Sequence, residues 1–209
     1  LPNMTVLACG DASEVESVLD AAQAVDGPVY IRMLRKAVPR LFPAGEAMQI
    51  GRLRALATGD DLLVVSCGIC TEEALRAAAA LRGQGLSVGH MHAHTLKPFD
   101  DPALLDAAAS ARHGIISVEN HSVIGGLGSA IAERLAEAGL GRRLVRLGLQ
   151  DTWANGASQP WLLRRYGLDA TAIFRAAAEL VGQELRANPG ELDPPDPAAA
   201  HAAAAAEGL

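Results

Sequence analysis

The chain has 209 residues, 50% of them hydrophobic and 3% aromatic, with a net charge of −6. That is enough for one sizeable core and part of a second. Its arginines fall in short clusters among apolar positions (Arg52/Arg54, Arg142/Arg143/Arg146, Arg164/Arg165), so no concentrated basic face is presented to nucleic acid. No apolar run approaches the roughly 20 residues of a membrane span, and no basic region precedes a long hydrophobic one near the start. A soluble cytoplasmic protein is the expectation.

Residues 4–9, "MTVLAC", read as a short buried strand, and residues 13–25 follow with Val15, Val18, Leu19 and Ala22 at helical spacing. Ser13 and Glu16 stand three apart, as a capping box requires. Gly27-Pro28 stops this helix, and residues 29–34, "VYIRML", form the next strand. Strand, helix and strand in this order make a right-handed parallel crossover. Two strands and one helix cannot cover both faces of their own sheet, so strands from elsewhere are expected beside them. Tyr30, Arg32 and Leu34 share one face of the second strand, and Arg35 and Lys36 lie just beyond its end. A guanidinium at that place can grip a phosphate or carboxylate bidentately, or form an intersubunit salt bridge.

Residues 39–61 contain two prolines and Gly45 and read as a connection, with Leu53 and Leu56 in a brief helix or irregular strand. Regular alternation begins at residue 62. Strands are expected at 62–67, 86–93, 114–119 and 143–149, and helices at 71–85 (capped by Thr71), 101–112, 125–139, 158–167 and 169–187 (capped by Asp169). The strand runs are too continuously apolar for a half-exposed antiparallel sheet, which implies a doubly wound α/β domain. The final residues, from 187, hold four prolines and a polyalanine run and are expected to form a mobile tail.

Three groups could carry chemistry. Cys67 and Cys70 form a CGIC sequence, but Cys67 ends an apolar run and no second ligand pair follows, so buried structural thiols are favoured over a redox pair or half a zinc site. His90, His92 and His94 alternate along an extended segment and should point to one side. Metal binding, loop hydrogen bonding and contact with a substrate or cofactor all stay open for them. Glu119, Asn120 and His121 end a buried strand where open α/β sheets keep their sites, and Gly125, Gly126 and Gly128 then lead into a helix N-terminus. That is a candidate anion site, although the spacing is not the dinucleotide fingerprint.

The segments "LPNMTVLACGDASEVESVLDAA" and "GPVYIRMLRKAVP" resemble the last part of the pyrimidine-binding domain of transketolase-like, thiamine-diphosphate-dependent enzymes. "DLLVVSCGICTEEALRAAAALRGQGLSVGHMHAHTLKPFD", "GIISVENHSVIGGLGSAIAERL" and "LGLQDTWANGASQPWLLRRYGLDATAIF" are similar, in order, to the C-terminal domain of that family. The resemblance implies a partial pyrimidine-binding domain over residues 1–44, a C-terminal α/β domain over 45–186 and a tail over 187–209. It implies a subunit of a split enzyme that moves a two-carbon ketol unit from a ketose to an aldose acceptor. Thiamine diphosphate with Mg²⁺ or Ca²⁺ would be held mainly by an N-terminal partner subunit, in a dimer of heterodimers.

By the same resemblance, Arg35 contacts the phosphate of a sugar phosphate acceptor. His90, His92, His94, Glu119 and His121 could form a secondary site near the cofactor entrance. Cys9 and Gly10 replace the first two residues of the family's Pro-Ala-Asp turn, which leaves Asp11 a turn or capping role. A deoxyxylulose phosphate synthase, a 2-oxoacid dehydrogenase β-subunit and a non-catalytic dimerisation scaffold are the alternatives.

Overall fold

The computed structural model describes residues 1–33, 38–188 and 190–194. Most of the expected tail, residues 189 and 195–209, lies outside them. The chain opens with β1 (Thr5–Ala8), α1 (Ala12–Gln23) and β2 (Val29–Arg32), and β1 and β2 pair in parallel. After the connection come β3 (Arg54–Ala57), β4 (Leu62–Ser66), α2 (Cys70–Gly83), β5 (Val88–His92), β6 (Thr95–Lys97) and α3 (Ala103–Ser110). The remainder is β7 (Gly114–Ser122), α4 (Leu127–Glu137), β8 (Leu144–Leu149), α5 (Gln159–Arg165) and α6 (Ala170–Val181).

Five strands form one sheet in the order β3-β5-β4-β7-β8, parallel except for β3 at the edge. Strands β4 and β5 are buried at every position because both faces of the sheet are covered. Leu62 and Val64 of β4 face α2 and α6, meeting Ala74, Ala77 and Ile173, all fully buried. Leu63 and Val65 face the other way, onto Leu104 of α3 and Leu127 and Ile131 of α4. The alanines matter here, since side chains of one carbon let α2 lie close against Ala176 and Ala177 of α6. The expected mostly parallel, doubly wound α/β sheet is therefore present, preceded by a smaller α/β unit.

That smaller unit is a three-stranded sheet of order β2-β1-β6. The expectation that β1 needs a neighbouring polypeptide on its second edge is corrected, because β6 returns from beyond β5 and pairs with it antiparallel. β2 stays at the edge, with Tyr30 and Met33 beside it about half exposed. No helix among the described residues is long and apolar enough to cross a membrane.

Two caps differ from expectation. Helix α1 is capped by Asp11, whose Oδ1 accepts from Glu14 N at 2.9 Å, and not by Ser13, whose hydroxyl donates to Phe42 O. Glu16 does not close a capping box but pairs with Arg40 at 2.6 Å. Thr71 does not cap α2, which starts at Cys70 without a side-chain cap; its hydroxyl is used inside the core. Asp169 caps α6 as expected, accepting from Ala172 N. The segment around Leu56 is a strand, β3, where the sequence left helix and strand open.

Asp11 serves three backbone amides at once. Its Oδ2 accepts from Leu41 N at 2.6 Å and Phe42 N at 2.9 Å while Oδ1 holds the helix, and the side chain is almost fully buried. Asp11→Ala leaves three donors bare and is expected to destabilise the fold by about 2–3 kcal/mol. Asp11→Asn, which keeps Oδ1, should lose less. Chemical denaturation of the two variants measures the difference, and equal losses would contradict this division of labour.

Candidate functional site

Arg35 lies outside the described residues, but both flanks of its segment are visible. Cys9 N donates to Arg32 O at 3.1 Å, and Asp11 holds Leu41 and Phe42. The loop after β1 thus grips the chain on each side of residues 33–40. Arg32 turns to the larger sheet, donating to Asn120 Oδ1 at 2.9 Å and Asn120 O at 2.6 Å. Its charge is used to join the carboxyl end of β2 to that of β7.

His90, His92 and His94 do come together, and all three are buried. His90 and His92 belong to a continuous hydrogen-bonded chain that crosses from one sheet to the other, while His94 Nδ1 lies 3.0 Å from Thr95 Oγ1. Glu14 Oε2 accepts from Gly10 N at 2.8 Å and lies 3.0 Å from His92 Nε2. Thr71 Oγ1 is 2.7 Å from His92 Nδ1, Ser66 Oγ donates to Thr71 Oγ1 at 3.0 Å, and His90 Nε2 is 2.8 Å from Ser66 Oγ.

Proton positions follow from these partners. Burial pushes the Glu14 carboxyl up, but the hydrogen bond and attraction of His92, with help from the Gly10 amide, outweigh it and hold the group below the ordinary carboxylate range. With a single proton on the His92 ring, an ionised Glu14 draws it to Nε2, and Nδ1 accepts from Thr71. Thr71 then accepts from Ser66, and Ser66 from His90 Nε2. His90 Nδ1 is left as a bare acceptor without a partner. Burial lowers His90 to about 3 and His94 to about 4, so both rings are neutral.

Residues that sequence reasoning passed over complete the cluster. Arg54 lies 3.7 Å from Glu14 Oε1, pairs with Glu46 at 2.6 Å, and places its guanidinium 4.4 Å from the centre of the Phe42 ring. The Phe42 ring sits 5.1 Å from that of His92. Arg54 is therefore not part of a solvated face. The available signal was Glu14 itself, an acid three residues beyond the cap in a helix turn that otherwise buries small or apolar groups.

The second group of candidates does different work. Glu119 is buried, and its two oxygens accept from Leu127 N at 2.7 Å and Gly128 N at 2.9 Å. The helix N-terminus considered as an anion site is filled by the chain's own carboxylate. Burial raises Glu119, the two amides pull it down, and the net position is above the ordinary range. A Cβ on Gly126 would fall 2.0 Å from Glu119 Oε2, so only glycine fits there. His121 is exposed and stands apart from the three buried histidines.

Cys9, Cys67 and Cys70 are free and buried. Burial pushes Cys9 and Cys67 up to about 12 and Cys70 well above its usual value, which leaves protonated, unreactive thiols. Among the described residues no group of three or more His, Cys, Asp or Glu could hold a metal ion. A cavity of about 390 Å³ opens at the carboxyl ends of β4, β7 and β8, where the strand order reverses. Its walls include Ile69, Leu149, Leu162 and Leu168, with Asn120 and Gln159 as amides and no ionisable acid or histidine.

Comparison with known proteins agrees with this architecture. The family described as "Transketolase, C-terminal domain" matches residues 51–173. A transketolase family protein of Sinorhizobium fredii is 37% identical over 181 residues, 86% of this chain and 52% of that protein. The 6-deoxy-6-sulfo-D-fructose transketolase subunit SqwH of a Clostridium strain is 38% identical over 180 residues, 86% of this chain and 55% of that protein. The chain thus spans about half the length of these curated relatives. Among solved structures, a split-gene transketolase in an inactive β4 tetramer matches with TM-score 0.80 and 35% identity, covering 87% of this chain and 58% of that one.

Buried His90 and His94 make stability depend on pH. An unfolded chain binds protons on them below about 6.5, while the folded one refuses until about 4 at His94 and about 3 at His90. The unfolded state then holds more protons, so stability falls as pH falls, by up to about 1.4 kcal/mol per histidine per pH unit. Glu14, lowered in the fold, adds loss in the same direction below about 4.5. Calorimetry is expected to show the melting point dropping between about pH 7 and about pH 5, with a shallower drop in His90→Gln. A flat profile would contradict the neutral assignment.

Proposed function

The chain belongs to the transketolase C-terminal domain family, and on that premise we propose that it is a subunit of a thiamine-diphosphate-dependent enzyme transferring a two-carbon ketol unit to an anionic aldose acceptor. The observation that carries this reading is the likeness to a split-gene transketolase chain over most of the sequence.

The described residues do not fit the cofactor. The glycine-opened helix end that might have taken a diphosphate is occupied by Glu119, and no carboxylate group is set for its metal. The cofactor therefore belongs to polypeptide beyond these residues, in this reading an N-terminal, diphosphate-binding subunit. The open edge of β2, with exposed Tyr30 and Met33 beside it, supports a further polypeptide at that side, and a dimer of such heterodimers is the proposed assembly. Free buried thiols suit a reducing cytoplasm.

Within this reading Arg35, which the family resemblance matches to an acceptor-binding arginine, binds the acceptor's phosphate. Such binding is common to ground and transition states and acts mainly on KM.

Reconstitution tests the proposal. The full-length chain mixed with its diphosphate-binding partner and thiamine diphosphate should transfer two carbons from a ketose and should not condense pyruvate. Arg35→Ala is expected to raise KM roughly ten- to hundredfold for a phosphorylated acceptor and little for a neutral one. Activity with pyruvate alone, or equal loss for both acceptors, would overturn the assignment.

A further inference from the structure

The cavity at the carboxyl end of the larger sheet lies where the strand connections part. From β4 the chain crosses to β5 on one side, and from β5 it returns past β4 to β7 on the other. The segments leaving β4 and β7 therefore diverge, and such a crevice is where open α/β sheets take ligands. Ile69, just after β4, and Asn120, on β7, both line the cavity of about 390 Å³. Leu162 of α5 and Tyr166 just beyond it form the opposite wall, and Ala154 and Ala157 close the mouth. Those two alanines belong to residues 151–158, all of them exposed.

Two polar side chains in this lining have no partner. Arg32 donates to Asn120 Oδ1 and to Asn120 O, which fixes the orientation of the amide; Asn120 Nδ2 forms no hydrogen bond among the described residues. The Gln159 amide forms none there either. No lysine, arginine, histidine, aspartate or glutamate stands among the described lining residues, so a phosphate or carboxylate would lose its water and meet no opposite charge. A plain hydrocarbon would cut the two amides off from water without replacing its hydrogen bonds. The lining therefore selects a neutral molecule with an apolar body and a hydrogen-bond acceptor.

We propose that this cavity is a binding site for an uncharged aryl carboxamide or aryl ketone: the ring system lies among the leucines and Tyr166, and the carbonyl accepts from Asn120 Nδ2 or Gln159. The proposal does not rest on the functional reading above, because a sugar phosphate has the opposite chemistry and is refused here. The mouth is able to open. Tyr166 Oη accepts from Asn155 N at 3.2 Å and lies 3.3 Å from both Trp153 O and Asn155 Oδ1, with one hydrogen to give them. Long hydrogen bonds at exposed positions break at little cost.

Equilibrium dialysis of the full-length chain against 2-naphthamide and against 2-naphthoate at pH 7, two probes of one shape that differ in charge, tests the proposal. The amide is expected to bind with Kd on the order of 100 µM, and the carboxylate at least about tenfold more weakly. Gln159→Leu, which keeps the bulk and removes the amide, should weaken 2-naphthamide by about fivefold. Ala157→Phe, which adds a ring at the mouth on an exposed segment, should weaken it by more than about tenfold. Equal affinity for the two probes, or affinity for the amide that neither variant changes, overturns the proposal. So does failure of both probes to bind, the result expected if a second copy or the chain's own residues fill the cavity. Should Ala157→Phe not fold, Gln159→Leu and the comparison of the two probes decide by themselves.

Discussion

The contact between Glu14 and His92 is the constraint around which the rest is arranged. An ionised carboxylate in a core is tolerated only when it is paired, and removing its partners costs several kcal/mol. Glu14 pairs through Oε2 in two places, the Gly10 amide in its own loop and an imidazole on β5 of the other sheet, while Oε1 has the Arg54 guanidinium 3.7 Å away and no hydrogen bond. Separation of the sheets would strand that charge. The small sheet is therefore held at one fixed place on the large one, even though its three strands are short.

Two further joints act at the same carboxyl ends. Arg32 reaches from β2 to Asn120 on β7, and β6 carries the chain back from the large sheet to pair with β1. Together they turn the region where an open α/β sheet would ordinarily bind a ligand into a mechanical connection. Glu119 completes this by filling the helix N-terminus with a carboxylate of the chain itself. What remains of the crevice is an apolar cavity flanked by α5, with no acid or histidine in its lining. The large sheet is built to support.

The hydrogen-bonded chain from His90 to Glu14 has a direction, and that follows from counting donors. Each hydroxyl has one hydrogen, so with Glu14 ionised and one proton on His92 every later proton is assigned, and the shortfall appears at His90 Nδ1. At the other end Glu14 Oε1 is likewise without a hydrogen bond, with only the Arg54 charge near it. Both outer histidines resist protonation because neither has an acid close enough to offset burial.

Much of this was legible from the residues alone. Continuous apolar strands separated by alanine-rich helices dictate a sheet covered on both faces, because a run such as residues 62–66 has no polar side to expose. Asp169 as a cap and the alternation that gathers the three histidines are local properties, set by spacing of a few residues. What only the tertiary structure decided is which distant groups meet. Ser13, Thr71 and Glu16 have good local uses as caps, yet each found a stronger partner at Phe42, His92 or Arg40. Glu14 reads as an ordinary helix acid until β5 brings His92 to it from 78 residues away. Local pattern records the choices a residue has, and burial selects among them, because a polar group removed from water must take whichever partner the packing delivers.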